Sequence, residues 1–545
     1  MSRSTGGRRR RLALAFAAVG VVAFLLGALA VVLLRDEGNV SNPDVAFEAE
    51  PPPTTTTPTR AVPGRDPWDD DFEWPVYGYT KARTKYLPVG AALRPPFVET
   101  WKVTGRILLE FPPVLCGQQL FLLKNNGALY GISRRTGRVR WKRKLGYLAA
   151  SSPACSHGTV YVTLLQRGRG VRAGRVVAVR ARSGATRWSR KLPSRSETSP
   201  LLDDGRLYLG SEDGTVYAMR AGDGAVRWRY KAGGAVKGAL ALSQGKLFFG
   251  DYAGQVTALR RADGRRLWRT GTSGSALGLK SGNFYATPAV AYGRVYLGNT
   301  DGFVYSFSAR DGKLAWRHKT GGFVYSSPAV SPVRGGTVYA GSYDGKLYAF
   351  DARSGDVRWT RDTGGKISGG PQVVGDLVLY SNLSRKSTGA VGAATGDLVW
   401  STGRGAFNPA ISDGRRIYLV GYSSLFALTT RKQARRDRAA LRGTAAGRAV
   451  GRREADRRRA RAERARKRAV GRRVARRKRA LARRVAERQR KVARRNDLRR
   501  RGVRFCFRSG GKRVCRLPRP MVCFKRPGSD ATVCRTQRPK ARSER

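Results

Sequence analysis

Between Phe97 and Leu428 the chain is written in short runs where apolar residues alternate with polar ones, each run closed by a glycine-containing turn. The clearest stretch reads Ser199-Pro200-Leu201-Leu202, Asp204-Gly205, Arg206-Leu207-Tyr208-Leu209-Gly210, Glu212-Asp213-Gly214, Thr215-Val216-Tyr217-Ala218, Asp223-Gly224 and Ala225-Val226-Arg227-Trp228. Period-two alternation rich in β-branched and aromatic residues predicts strands. Asp-Gly pairs predict tight hairpins, because glycine takes positive φ without steric cost and aspartate tolerates it. Four strands and three hairpins then lead through a Gly-rich link into the next copy. A helical repeat would need a 3.6-residue period and fewer glycines.

The copies have a fixed signature: a turn glycine, three residues, then tryptophan. The pairs are Gly137/Trp141, Gly184/Trp188, Gly224/Trp228, Gly264/Trp268, Gly312/Trp316, Gly355/Trp359 and Gly396/Trp400. Their spacing of about 40 to 48 residues is that of one four-stranded propeller blade. An eighth copy runs from Asn408-Pro409 through Ile417-Tyr418-Leu419 to Leu425-Phe426-Ala427-Leu428 and ends without a tryptophan strand. The missing strand stands at the front, in Phe97-Val98-Glu99-Thr100-Trp101-Lys102. An all-β, eight-bladed ring closed by this early strand is therefore expected, with seven blades as the alternative. Closure removes two edges that would otherwise pair with other chains. The repeated tryptophans are expected to pack between neighbouring blades rather than bind a ligand.

The front of the chain has a different pattern. Arg8–Arg11 precede an uncharged apolar run, 12–34, followed by Arg35, Asp36 and Glu37. About 23 such residues rise about 34 Å as a helix, enough to cross a bilayer. The arginines before the run predict a cytoplasmic N-terminus (1–11), a single-pass anchor in the plasma membrane and an extracytoplasmic remainder. A signal peptide cleaved near Ala28-Leu29-Ala30 is the alternative, and it exports the rest equally. Residues 35–73, with Pro51–Pro53 and Thr54–Thr57, read as a semi-rigid stalk before a propeller domain at 74–430.

Here the residues carry a resemblance. Tyr217-Ala218, Gly224 and Trp228 resemble the PQQ-like propeller repeat of quinoprotein dehydrogenases and of the outer-membrane assembly lipoprotein BamB. The opening Trp74-Pro75-Val76-Tyr77-Gly78 and Ala82-Arg83-Thr84 are similar to the entry segment of the same superfamily. The resemblance specifies fold and leaves activity open. Quinoprotein dehydrogenases hold quinone and calcium in the axial funnel beside a catalytic Asp and two adjacent cysteines. This chain has no Cys-Cys pair, its aspartates sit mostly in Asp-Gly turns, and His157 and His318 lack partner motifs. No catalytic residue, cofactor or metal site is therefore expected. The leading expectation is a non-enzymatic binding or assembly scaffold of the cell envelope. The alternatives are a quinoprotein-type dehydrogenase and an envelope sensor.

Links from each tryptophan strand to the next inner strand should gather round the axis on one face. Counted back from the proline that opens most inner strands, they offer Arg195, Glu197, Lys237, Asn283, Tyr285, Phe323, Tyr325, Lys366 and Arg404. Cations among aromatics suit an anionic or sugar-bearing ligand, hence an envelope protein or glycan; an ordinary solvated rim is the alternative reading. Cys116 and Cys155 hold near-equivalent inner-strand positions in adjacent blades, so an exported chain could bridge them; two buried thiols are the alternative.

Charge changes the picture at the far end. The chain has 107 Lys+Arg against 37 Asp+Glu, a net +70, and more than half of that excess lies beyond Arg431. Residues 431–502 are Arg- and Ala-rich and read as a helical or disordered tail. Residues 503–545 repeat a motif, Cys506…Cys515 and Cys523…Cys534, which reads as two hairpins each pinned by its own disulfide; zinc is the rival, but no Cys-x-x-Cys pair is present. On the outside of a cell, such a tail points to acidic envelope polymer or anionic lipid, and disfavours nucleic acid.

Overall fold

Eight antiparallel sheets succeed one another round a central axis. They belong to a computed structural model that describes residues 19–22, 24, 38–48, 72–89, 93–272, 282–442, 445–525 and 532–536. Blades 1 to 7 (114–144, 154–191, 201–231, 241–271, 289–319, 329–362 and 372–402) each take four consecutive strands. Blade 8 takes three strands from 410–430 and its outermost from Phe97–Val103, with Trp101 opposite Ala427. Eight blades and the early closing strand are as the repeat predicts.

The glycine–tryptophan phrase has one cause throughout. Each tryptophan lies on the turn glycine of the following blade: Trp141 on Gly184, Trp188 on Gly224, and so on round to Trp101 on Gly137. A Cβ on these seven glycines would stand 2.5–2.7 Å from the indole ring, and their φ values are positive, so glycine is required twice over. The indole N–H then donates to a backbone carbonyl of the same neighbour, as Trp141 Nε1 does to Ala181 O at 2.9 Å and Trp188 Nε1 to Ala221 O at 2.8 Å. Only Trp400 lacks a turn glycine to rest on, because the chain break falls there; it meets Phe97 edge-on at 5.3 Å. The tryptophans are packing residues.

Segments on either side of the repeat also belong to this unit, Met1–Thr444. Residues 38–48 lie on blade 5 instead of forming the start of a free stalk, because Val40–Ser41 add a fifth strand to its outer edge opposite Arg317 and Trp316. Helix α1 (Arg431–Arg442) packs on blade 8, with Ala434 and Asp437 each only 5% exposed. The propeller unit thus runs twelve residues past the boundary expected at 430. The expected anchor (12–34) lies almost wholly outside the described residues, as does most of the Pro/Thr segment. Among the described residues no helix is long and apolar enough to cross a membrane.

The second unit, Ala445–Arg545, holds helix α2 (Ala445–Arg500) and two hairpins. Helix α2 is exposed along most of its described length, its last turns meet the second hairpin through Asn496 and Met521, and three acid–base pairs four residues apart, Glu463–Lys467, Glu487–Lys491 and Asp497–Arg501, give slight support. Phe505–Ser509 pairs with Lys512–Arg516 and Met521–Lys525 with Thr532–Thr536, setting Cys506 opposite Cys515 and Cys523 opposite Cys534. Both pairs are disulfides, as the symmetry of the two copies implied. Among the described residues no group of three or more His, Cys, Asp or Glu could hold a metal.

Candidate functional site

An open propeller leaves the backbone groups of its eight innermost strands facing an axial channel. Here residues 74–87 run inside that channel and satisfy them. Trp74 exchanges two backbone bonds with Leu115 of blade 1, and Pro75 accepts from Cys155 of blade 2. Lys81, Ala82, Thr84 and Lys85 then accept from Leu242, Val290, Val330 and Val373 of blades 4 to 7, all at 2.8–2.9 Å. Tyr86–Leu87 finish as a short parallel pair with Val373–Val374. Blade 3 is reached by side chains, those of Arg83 and of Lys81, which lies 2.5 Å from Asp203 Oδ1. Arg83, wholly buried, donates to Ser199 O and Pro200 O at 3.2 Å, to Leu240 O at 2.9 Å and to Tyr77 O. Burial lowers its pKa to about 9, which still leaves the guanidinium charged at pH 7. The segment is a plug, and its sequence is the one that resembles the family's entry segment.

Above the plug is a cavity of about 90 Å³ built in two tiers. The lower tier consists of the residues just before the inner-strand prolines. Here the backbone N–H of one blade donates to the side chain of the next: Ser152 to Ser199 Oγ, Thr287 to Ser327 Oγ and Gly370 to Asn408 Oδ1, at 2.9–3.2 Å. That is why Ser, Thr or Asn so often precedes proline in the repeat. Tyr77 forms the floor, its hydroxyl donating to Asn408 Oδ1 at 2.9 Å while burial pushes its pKa up to about 12. Beneath it the Lys85 amine lies 3.6 Å over the Tyr77 ring; burial, and secondly Arg83, push its pKa well down.

The upper tier consists of the residues three before those prolines. Of the nine residues expected at the funnel, Glu197, Lys237, Tyr285 and Tyr325 line the cavity. The other five stand two residues earlier, and four of them, Arg195, Asn283, Phe323 and Lys366, form a rim against the second hairpin of the blade they lead into. Their carbonyls accept from Glu212, Thr300, Tyr343 and Leu383. Arg404 is turned outward, pairing with Glu99 of the closing strand at 2.6 Å and lying 4.3 Å over Phe426. Four residues that the sequence reading missed also belong here. Glu110 stands three before Pro113 and lines the cavity; the same count would have found it. Glu212, Tyr252 and Tyr343 come from the second hairpins, which turn on the same face.

Charge in the funnel is largely internally matched. Lys237 lies 2.8 Å from Glu197 and 3.3 Å from Glu212, which also meets Arg195 at 3.3 Å. Glu110 accepts from Asn125 at 2.7 Å. Burial raises the pKa of Glu197 more than Lys237 lowers it, whereas Lys237, also opposed by burial, is held up by Glu197, Tyr252 and Glu212. The Lys237 ammonium thus faces one oxygen of Glu197 and one of Glu212. What the rim offers outward is aromatic: Phe323 is 53% exposed and packs with Tyr325 and Tyr343, Lys366 covers Tyr343, and Lys386 lies 4.5 Å over the exposed Tyr422.

Cys116 and Cys155 are joined, with Cα atoms 6.3 Å apart, so blades 1 and 2 are bridged beside the plug's entry at Trp74. In the second unit Phe505, Phe507 and Leu517 line a groove shared with Lys491, Arg494, Arg495 and Arg516, an amphipathic and strongly cationic surface.

A family model described as outer membrane protein assembly factor BamB matches residues 125–275 and 233–437. No curated protein matches the chain in sequence. Among solved structures, BamB from Moraxella catarrhalis aligns with a TM-score of 0.50 at 17% identity, over 62% of this chain and 98% of its own. A quinohemoprotein alcohol dehydrogenase from Pseudomonas putida HK5 aligns at 0.56 and 14%, over 66% and 80%. A europium-containing methanol dehydrogenase aligns at 0.55 and 12%, over 67% and 99%. At these identities the structural likeness is one of fold.

Proposed function

This chain belongs to the PQQ-like β-propeller family represented by BamB, and on that premise we propose that it is a membrane-anchored, extracytoplasmic propeller acting as a non-enzymatic binding or assembly scaffold of the cell envelope. The filled and internally matched funnel carries this reading. A quinone and its calcium would need an open axial well and several converging oxygen ligands. Here residues 74–87 fill the channel, about 90 Å³ is left above them, and Glu110, Glu197 and Glu212 are already engaged by Asn125, Lys237 and Arg195. The residues present do not fit that pair. A rigid ring with a sealed axis and an aromatic rim fits a surface that receives an envelope protein or glycan. Three disulfides support an oxidising exterior.

The basic tail supplies the second contact, with acidic envelope polymer or anionic lipid. Its helix is exposed and its positive charges far outnumber its acids, so binding should be driven by counterion release and fall steeply with salt. The test compares the ectodomain with a chain ended at Thr444, which keeps helix α1 on the propeller, on isolated wall material and on anionic vesicles. Retention of the full ectodomain at low salt, its release as salt rises, and little retention of the shortened chain are expected. Equal retention of both chains, or indifference to salt, would overturn the tether.

A further inference from the structure

The segment just beyond the apolar run is tied to blade 5, with one contact from Arg353 of blade 6. Gly38 O accepts from Arg317 Nε at 3.3 Å and Asn39 Oδ1 from Lys319 N at 2.8 Å. Val40–Ser41 pair with the outer strand of blade 5, and Asn42 donates through its backbone to Ala315 O at 2.7 Å and through its side chain to Leu314 O at 2.8 Å. Farther on, Arg294, only 1% exposed, donates to Ala46 O at 2.7 Å and to Val45 O. Phe47 stacks on Tyr292 at 4.9 Å between the guanidiniums of Arg294 and Arg353, and Glu48 N reaches Tyr292 O at 3.1 Å. This is a strand, a buried arginine clasp and an aromatic anchor within eleven residues.

We propose that residues 38–48 clamp the rim of blade 5 against the membrane surface, so that the propeller sits edge-on at the lipid headgroups. The proposal rests on reading residues 12–34 as an anchor. Leu34 and Gly38 are four residues apart, so a fully extended link spans at most about 15 Å. The Pro/Thr segment then cannot set the distance from membrane to propeller. It starts at the clamp on blade 5 and ends at the plug near blade 1, so both of its ends are fixed on the same ring. The lipid-facing rim suits its partner: Arg310, Lys313 and Lys319 of blade 5 and Arg265, Arg266 and Arg269 of blade 4 are exposed cations, each attracted to an anionic headgroup layer. Blade 1, across the ring, faces away from the membrane. The tail leaves from blade 8, three blades round from the clamp.

The full-length protein in vesicles tests this, and no cysteine competes for a label because all six are in disulfides. Single cysteines at equivalent turns, Lys313→Cys on blade 5 and Arg138→Cys on blade 1, carry a donor dye, and the outer lipid leaflet carries an acceptor. Energy transfer at least several-fold greater from position 313 than from 138 is expected. Val40→Pro with Phe47→Ala, both in the clamp and outside the blades, should bring the two positions towards equality with the propeller still folded by circular dichroism. Protein that still floats with the vesicles at high salt, where the tail has let go, but shows equal transfer from both positions overturns the proposal while the anchor stands. Protein that does not float at high salt overturns the anchor and the proposal together. An undiminished difference in the loosened variant overturns the clamp as its cause.

Discussion

Arg83→Met is expected to lower the thermal midpoint of the propeller by on the order of 10 °C, the largest effect of any single substitution in the plug. Methionine nearly fills the same space but donates nothing. Four carbonyl groups, on Tyr77, Ser199, Pro200 and Leu240, then lose an ionised donor in a site closed to water. Leaving buried acceptors of this kind unpaired costs roughly 1–3 kcal/mol each before relaxation, so a total of about 3–5 kcal/mol is expected after neighbours adjust. Because Arg83 is the buried link from the plug to blade 3, with only the half-exposed Lys81–Asp203 pair beside it, the variant should also make the segment near residue 83 sensitive to protease while the blades stay folded. Arg83→Lys should recover part of the loss, since an ammonium can reach one or two of the carbonyls. A midpoint shift below about 2 °C, read by calorimetry, would show that the plug is not held by this side chain.

The second large effect is expected at the closure. Asp437→Ala should destabilise the propeller by about 3–5 kcal/mol, and ending the chain at Thr430 should do at least as much. Arg416 and Asp413 are buried in blade 8, Arg416 bonds Asp437 of helix α1 and lies 3.4 Å from Asp413, and Tyr418 donates to Asp413 at 2.7 Å. Helix α1 therefore pins the blade whose outer strand comes from the other end of the propeller. Removing Asp437 leaves the buried guanidinium with one carboxylate in place of two. A chain ended at Thr444 should melt like the full ectodomain.

Acid should act on the same cluster. Burial pushes the pKa of Asp413 up, but Arg416, Arg134 and the Tyr418 hydroxyl outweigh burial and hold it below the usual value. Its contribution is therefore complete above the unfolded carboxylate pKa of about 3.9 and is lost as pH falls through the lower folded value. The stability gap between the wild type and Asp413→Asn should be constant from neutral pH down to about 5 and narrow below about 4. A gap that widens in acid would contradict this assignment of charge.

The ring was legible because each blade must solve the same packing problem. Trp188 needs Gly224, Trp228 needs Gly264, and the repeat writes both partners at a fixed spacing. The closing strand could be read because blade 8 lacked a tryptophan that Trp101 supplies. The axial tiers were half legible. Counting three residues back from proline, or from Leu240 where blade 4 lacks one, gave Glu197, Lys237, Tyr285 and Tyr325, all in the cavity; counting five back gave, apart from the outward Arg404, rim residues whose carbonyls bond the neighbouring hairpin. The contribution of Glu212, Tyr252 and Tyr343 depends on which hairpins share a face, which periodicity alone does not show. Helix α1 was hidden by composition: Asp437 is a single acid in a basic stretch, and only its burial against Arg416 reveals its role. The clamp was hidden because two residues of strand carry no period.

The consequence of the occupied funnel for function can be measured directly. The purified ectodomain is incubated with pyrroloquinoline quinone and calcium, separated from free quinone, and assayed for retained quinone and for dye reduction with alcohols and sugars. The scaffold account predicts no stoichiometric retention and no calcium-dependent oxidation; one quinone held per chain, or turnover that needs both quinone and calcium, would contradict it.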